Sequence, residues 1–300
     1  MRLSRLVGTA FGIGAATLGY ALCEAHWFQL RQTTVPLLKA GSAPLKLLHI
    51  SDLHLTAHQT RKVAWVRNLA RLEPDLVVVT GDNFAFGDAM ESAIEAFEPL
   101  FRFPGAFVFG SNDYYSAVFK NPITYLWRSS RLDPERQPDL PTTVFRDVLI
   151  NAGWHFLDNA RASLQLGPQQ LNTRLVGLGD PHLGWDTMPP MSPEPLEHSA
   201  ELVLGVVHAP YQAAVQNLVD DSAQLVLAGH THGGQVTLPF WGALVSNTDL
   251  PRRLAAGLHQ WPGSQAYLHV SAGLGTSPYA PIRLARRPEA TLLTLCPKTE

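Results

Sequence analysis

Residues 225–235 read LVLAGHTHGGQ, an apolar run that stops at Gly229 and is followed at once by His230 and His232. Such a run suits a short buried strand, and glycines at 229, 233 and 234 favour a turn directly after it, with each histidine free to reach a different point. The pattern recurs along the chain. ISDLHL closes a run over 45–50 with Asp52 and His54, VVVTGDNF closes 75–79 with Asp82, VFGSNDYY closes 105–109 with Asn112, and LGVVHAP closes 201–207 with His208. Helical stretches over 62–72 and 89–101 alternate with these runs, as expected of parallel strands joined by helices, and later strands over 266–270 and 290–295 suggest a second sheet. Donor-type side chains at the same end of neighbouring strands would converge outside the carboxyl ends of a sheet.

The inventory is four histidines, two carboxylates and one amide, with no thiolate, which suits Mn, Fe or Zn in a hydrolytic centre and disfavours a cysteine-rich structural zinc site. Seven donors exceed what one tetrahedral ion can use. Two ions roughly 3.5 to 4 Å apart, bridged by a carboxylate, would account for the number and would clamp the attacking and departing oxygens of a phosphoryl group. The reaction class expected is phosphoester hydrolysis.

In their order, these motifs resemble the calcineurin-like metallophosphoesterase family, whose pattern is DxH, GD, GNHD, a lone His and GHxH; the match spans about 45–295. The resemblance implies an α/β fold, a four-layer α/β/β/α sandwich preceded by an N-terminal hydrophobic helix. It implies two metal ions (Mn, Fe or Zn), with Asp52, His54 and His232 on one, Asp82 bridging, and Asn112, His208 and His230 on the other. A hydroxide between the metals would then attack phosphorus in line. It is closest to bacterial membrane-anchored or exported phosphoesterases with a C-terminal strand like RPEATLLTL (287–295); some relatives act on lipid precursors of the UDP-diacylglucosamine type.

The chain departs from that pattern at one place. Where GNHD is expected it has Gly110, Ser111, Asn112 and Asp113. A gapless match puts Ser111 at the amide-ligand position, whereas a slip of one residue keeps Asn112 as the ligand and leaves Asp113 where the histidine stood. The family's histidine is absent in either register. A positioned acid is worth about a hundred- to ten-thousand-fold in rate, so a replacement is expected. The candidates are Asp113 with a pKa raised by burial, His182 in the GLGDPH turn, or a leaving group that needs no proton. Asp180 in the same turn is a candidate substrate contact. His26, His49, His58, His198, His259 and His269 have no motif partner and read as surface or satisfied core histidines; His155 is less decided.

The 300 residues are 46% hydrophobic and 16% charged, enough for one large core, and the net charge of −2 argues against a nucleic-acid partner. Cys23 and Cys296 supply no disulfide framework. Arg2 and Arg5 precede a charge-free stretch over 6–23, and Trp27 and Phe28 follow it, which predicts a membrane anchor with the catalytic domain outside the cytoplasm. A cleaved signal with export, or a soluble helix, is the alternative. The expected division is therefore an anchor over 1–28, a linker over 29–44 and a catalytic domain over 45–300. Residues 114–142, with Tyr125, Trp127, Arg128 and Arg131, read as a lid or pocket wall. The function expected is a dinuclear metal-dependent phosphohydrolase cleaving a phosphodiester or pyrophosphate of a phosphorylated small molecule or lipid. A soluble-nucleotide or cyclic-nucleotide phosphodiesterase, and a catalytically weak metal-binding sensor or scaffold, are the other readings.

Overall fold

The structure is a computed structural model that describes residues 2–119, 136–191, 198–238 and 242–298. Tyr125, Trp127, Arg128 and Arg131 lie outside the described residues. Helix α1 (Arg2–Glu24) leads into β1 (Gln29–Leu38) and β2 (Leu45–Ile50), followed by α2 (Thr60–Asn68), β3 (Leu76–Val79), α3 (Met90–Phe97), β4 (Gly105–Phe107), the single turn α4 (Ser111–Tyr114), α5 (Thr142–Asn151) and β5 (His155–Phe156). A second half holds β6 (Ala160–Leu166), β7 (Leu171–Gly177), β8 (Leu202–Val206), α6 (Gln212–Asp220), β9 (Leu225–Ala228), the short pair β10 (Thr237–Leu238) and β11 (Gly242–Ala243), then β12 (Gly257–Gln260), β13 (Tyr267–Val270) and β14 (Glu289–Pro297).

Two six-stranded sheets result, ordered β1-β14-β2-β3-β4-β5 and β12-β13-β9-β8-β7-β6. Side chains alternate across each strand, and in the inner strands β3, β4, β8 and β9 both faces are buried, which is why those runs read as continuously apolar. In β3, Val77 and Val79 pack with α2, α3 and α5, whereas Leu76 and Val78 face the other sheet. In β9, Leu225 and Leu227 fill the layer between the sheets, whereas Val226 and Ala228 pack against α6. The layers are therefore α/β/β/α, as the family resemblance implies.

Two expectations need correction. The stretch over 29–44 is not simply a linker: Gln29 to Leu38 pair in parallel with Glu289 to Pro297, and only 39–44 connects strand to strand. The strands expected over 266–270 and 290–295 do not share a sheet. The first pairs with β9 and the second sits between β1 and β2.

The C-terminal end of α1 is fastened to the sandwich. The Ala21 carbonyl accepts from the Arg283 amide at 3.0 Å, the buried Glu24 carboxylate accepts from the Ala285 amide at 2.8 Å, and the Arg287 guanidinium lies 4.3 Å from the Trp27 ring centroid. Farther out, Phe11, Ile13, Leu18 and Leu22 are exposed. Among the described residues no helix is long and apolar enough to cross a membrane, against the spanning helix expected over 6–23. The stretch alternates its few large apolar residues with Gly, Ala and Thr, which lowers its hydropathy.

Candidate metal centre

All five motif loops emerge at the carboxyl ends of β2, β3, β4, β8 and β9. Their backbone is unusual. Asp52, His54, Asp82, His230 and His232 have φ of 51°, 41°, 55°, 66° and 50°, a region that non-glycine residues enter at a cost of about 1–3 kcal/mol each. The surrounding hydrogen bonds impose it: Asp52 and His54 amides donate to the Gly81 and Asp82 carbonyls (2.9 Å each), and the Leu274 amide donates to Ser51 (3.0 Å). Glycine is required where the loops touch, because a Cβ on Gly229 would overlap the Ser51 and Asp52 side chains.

Two groups of donors result, Asp52 with His54 and His232, and Asp82 with His208 and His230; the donor atoms of each lie within 4.8 Å of one another. The Asp82 carboxylate joins them. Its Oδ2 is 3.3 Å from His54 Nε2 and 3.5 Å from His208 Nε2. Across the first group His54 Nε2 and His232 Nε2 are 3.1 Å apart, and Asp52 Oδ1 is 3.8 Å from His232 Nε2. In the second, His230 Nδ1 is 3.2 Å from His208 Nε2. Backbone carbonyls aim these rings: His208 Nδ1 donates to Thr80 (2.6 Å) and His232 Nδ1 faces Gly275 (3.2 Å), which turns each Nε2 inward.

Electrostatics favour a cation here. Burial opposes ionisation of Asp82, but His208 and His54 beside it outweigh burial and hold its carboxyl well below the usual carboxylate range. For His208 burial opposes the charged form, yet Asp82 and then Asp180 raise its pKa well above the ordinary value. Burial, then neighbouring histidines, hold His230 and His232 well below the ordinary value, so both are neutral nitrogen donors at pH 7. The sulfur-free donor set, with one carboxylate oxygen beside a histidine of each group, fits an Mn, Fe or Zn pair.

Of the remaining candidates the structure separates two pairs. Asn112 reaches the centre, its backbone and side-chain nitrogens each donating to an Asp82 oxygen at 2.8 Å, and with Ser111 it lines the adjoining cavity. Asp113 does not. Its buried carboxylate accepts from the amides of Asp82 (2.7 Å), Asn83 (2.9 Å) and Gly110 (2.9 Å) and from the Asn83 side chain (3.0 Å), so it faces backbone and is no replacement for a substrate-facing histidine. His182 lines the cavity, its ring 4.8 Å from that of His230 and its Nδ1 3.0 Å from the Tyr211 hydroxyl. Asp180 is fully buried and accepts from the His182 amide at 2.9 Å, so it holds the His182 turn in place of touching substrate.

Asp113→Asn is therefore expected to act on stability, since one amide oxygen replaces two acceptors and leaves buried N–H groups unmet at about 1–3 kcal/mol each. Burial first, then Asp82, raises the Asp113 pKa to about 6. Between pH about 4 and 6 the folded metal-free chain then holds a proton that the unfolded chain lacks, so this residue's contribution to stability falls as pH rises through that window. Thermal unfolding across that range would show the slope in the parent and its loss in the variant; an identical slope in both would refute the assignment.

Three residues that the motifs did not signal support the centre. Lys62 is buried and donates to the Leu53 carbonyl at 2.8 Å, between two donor residues, and burial lowers its pKa to about 7. Asn247 places its amide nitrogen 3.1 Å from His230 Nε2, and fully buried Arg283 donates to the Ala272, Gly273 and Gly275 carbonyls. The cavity, about 340 Å³, combines the donors with an apolar wall that includes Val118, Val236, Leu244, Pro278 and Ile282, and with one guanidinium among the described residues, Arg136.

A two-sheet sandwich with two carboxylate–histidine groups meeting at one shared carboxylate defines a metallophosphoesterase. The profile described as calcineurin-like phosphoesterase matches residues 45–234, and the chain belongs to that family. It is 27% identical to "Phosphodiesterase YaeI" of Escherichia coli over 91% of this chain and 90% of that one. It is also 27% identical to "UDP-2,3-diacylglucosamine pyrophosphatase LpxG" of Chlamydia trachomatis over 83% of each chain. A "Transmembrane protein with metallophosphoesterase domain" of Bos taurus is 28% identical over 84% of this chain and 53% of its own length. The chain is accordingly a phosphoesterase enzyme with two candidate metal groups.

Proposed function

We propose that this enzyme is a dinuclear metal-dependent phosphohydrolase that cleaves a phosphodiester or pyrophosphate bond in a substrate with an apolar portion, of membrane or envelope origin. The observation that carries the dinuclear reading is the single Asp82 Oδ2 within 3.5 Å of a histidine from each group. Asp52, His54 and His232 would hold one ion, His208 and His230 the other, and Asp82 both, with Asn112 completing the second through its amide oxygen. Bound there, the ions would supply Lewis acidity and lower the pKa of water. The protein's part is to fix the donors on rigid strand ends and to present His182 and Asn112 toward the substrate.

The apolar cavity wall supports an acyl, prenyl or aryl group beside the phosphate; Arg136, which also lines the cavity, is ion-paired with Asp139 at 2.9 Å. At the rim the exposed Val118, Phe119 and Tyr279 extend that apolar surface outward, with Phe119 and Tyr279 in edge contact at 5.9 Å between centroids. The pyrophosphatase relative acting on a diacylated sugar nucleotide favours the same class. The exposed apolar residues of α1 and the exposed Trp27 that follows them support attachment to a membrane surface.

The test is metal content together with Mn-supplemented hydrolysis of bis(p-nitrophenyl) phosphate, p-nitrophenyl phosphate and a lipid-linked pyrophosphate in mixed micelles. Two ions per chain, diester or pyrophosphate cleavage above monoester cleavage, and loss of both activities on chelation are expected. A preference for water-soluble nucleotides over the lipid-linked substrate would refute the substrate class, and absence of metal after loading would refute the dinuclear centre.

A further inference from the structure

The alternation of β2 and β3 sends His49, Ser51, Leu76, Val78 and Thr80 into the layer between the sheets, where apolar side chains predominate. The alternation of β13 sends His269 into the same layer from the opposite sheet. There the polar side chains form one continuous chain ending at a proposed metal ligand. His269 Nδ1 lies 2.9 Å from His49 Nδ1, and His49 Nε2 lies 2.9 Å from Thr80 Oγ1. Thr80 donates to Ser51 Oγ at 2.6 Å, and Ser51 donates to Asp52 Oδ2 at 2.5 Å. All five side chains have no exposed surface.

The terminal carboxylate, an acceptor only, fixes the direction of every proton. Ser51 must give its hydroxyl proton to Asp52, so it accepts from Thr80; Thr80 has then spent its own proton and accepts from His49 Nε2–H. His49 Nδ1 is left with a lone pair and accepts from His269 Nδ1–H. Each imidazole needs one proton and no more, consistent with burial holding His49 well below the ordinary histidine range and, with Arg31 next in effect, His269 at about 3. His269 Nε2 ends buried with no partner. A buried polar atom left unsatisfied is destabilising, and apolar side chains of similar volume would avoid that cost. The chain is thus a poor way to pack two sheets and a good way to orient one carboxylate.

We infer that Thr80 and His49 are positioning residues for the metal centre: the His230 amide lies 3.1 Å from Asp52 Oδ1 and 3.0 Å from Oδ2 and so does not choose between the two oxygens, whereas Thr80 and His49, acting through Ser51, commit Oδ2 to the internal chain and leave Oδ1 as the oxygen beside His232 Nε2, at 3.8 Å. The inference rests on the dinuclear reading. It separates the two functions of Thr80, whose hydroxyl serves the Asp52 group while its carbonyl holds His208 at 2.6 Å. A side-chain substitution removes only the first.

The experiment is Mn2+ titration of the metal-stripped full-length chain by calorimetry, with near-UV circular dichroism confirming the fold. Thr80→Val, which keeps the shape and removes the hydroxyl, is expected to weaken one of the two ions by about 10- to 100-fold and leave the other unchanged; Thr80→Ser restores binding to roughly the parent level. Ser51→Ala, a smaller change to the packing, repeats the loss. Parent-like binding of both ions by folded Thr80→Val, or an equal loss in Thr80→Ser, overturns the inference while the dinuclear reading stands. A parent chain that binds no Mn2+ overturns both.

Discussion

Asp82→Asn is expected to lower turnover by a factor on the order of a hundred to a thousand or more while leaving the sandwich folded. A single oxygen of this carboxylate lies beside an imidazole of each donor group, 3.3 Å from His54 Nε2 and 3.5 Å from His208 Nε2. An asparagine fits the same space, but it is neutral and offers one oxygen. If that oxygen turns toward one group, an NH2 donor faces the other, where a cation is needed. The substitution also takes away the principal neighbour that raises the His208 pKa and one acceptor of the paired donors from Asn112. Metal analysis is expected to show fewer than two ions per chain, and the far-UV spectrum to match the parent. Two ions with undiminished diester cleavage would show that Asp82 is not shared.

That prediction stands on residues that could be read before any coordinates. The strands behind Asp52, Asp82, His208 and His230 were legible because a strand buried on both faces leaves an uninterrupted apolar run, and a polar residue straight after it marks the sheet's edge. The layer order was implied by the family resemblance, since periodicity does not supply it. Strand β1 was not legible as part of the sheet, because its partner, Glu289 to Pro297, is some 260 residues away and nothing local records the pairing. The direction of the Asp113 side chain was equally hidden. An Asp beside the expected ligand looks like a spare acid until the amides of Asp82, Asn83 and Gly110 are found converging on it. His49 and His269 read as surface or satisfied core histidines, and both are buried; that they connect to Asp52 depends on register between two sheets, which strand pattern alone does not set.

Arg283→Met is expected to destabilise the chain by about 3–5 kcal/mol, and to lower its melting temperature by on the order of 10 °C. The arginine lies in the stretch PIRLARRP, and its side chain is fully buried. Its Nη2 donates to the Gly275 carbonyl at 2.6 Å, to Ala272 at 2.7 Å and to Gly273 at 3.2 Å, and its Nη1 reaches the His232 carbonyl at 3.4 Å. These carbonyls belong to the loop after β13, whose Gly275 oxygen in turn faces His232 Nδ1, and to the GHTH turn itself. Burial is the largest influence on Arg283 and lowers its pKa to about 10, while Asp52 and Glu289 favour the charged form, so it remains a cation at neutral pH. Methionine fills similar volume without a donor and leaves several buried carbonyls unmet; lysine keeps the charge but presents one ammonium where a planar fork spans the loop. Arg283→Lys should accordingly fall between parent and methionine in unfolding temperature. The Arg283 amide also donates to Ala21, so loosening the segment should release the end of α1, seen as faster proteolysis near residue 25. Parent-like unfolding of the methionine variant would mean that water replaces the guanidinium at no cost, and that the loop behind His232 is held by the sheets alone.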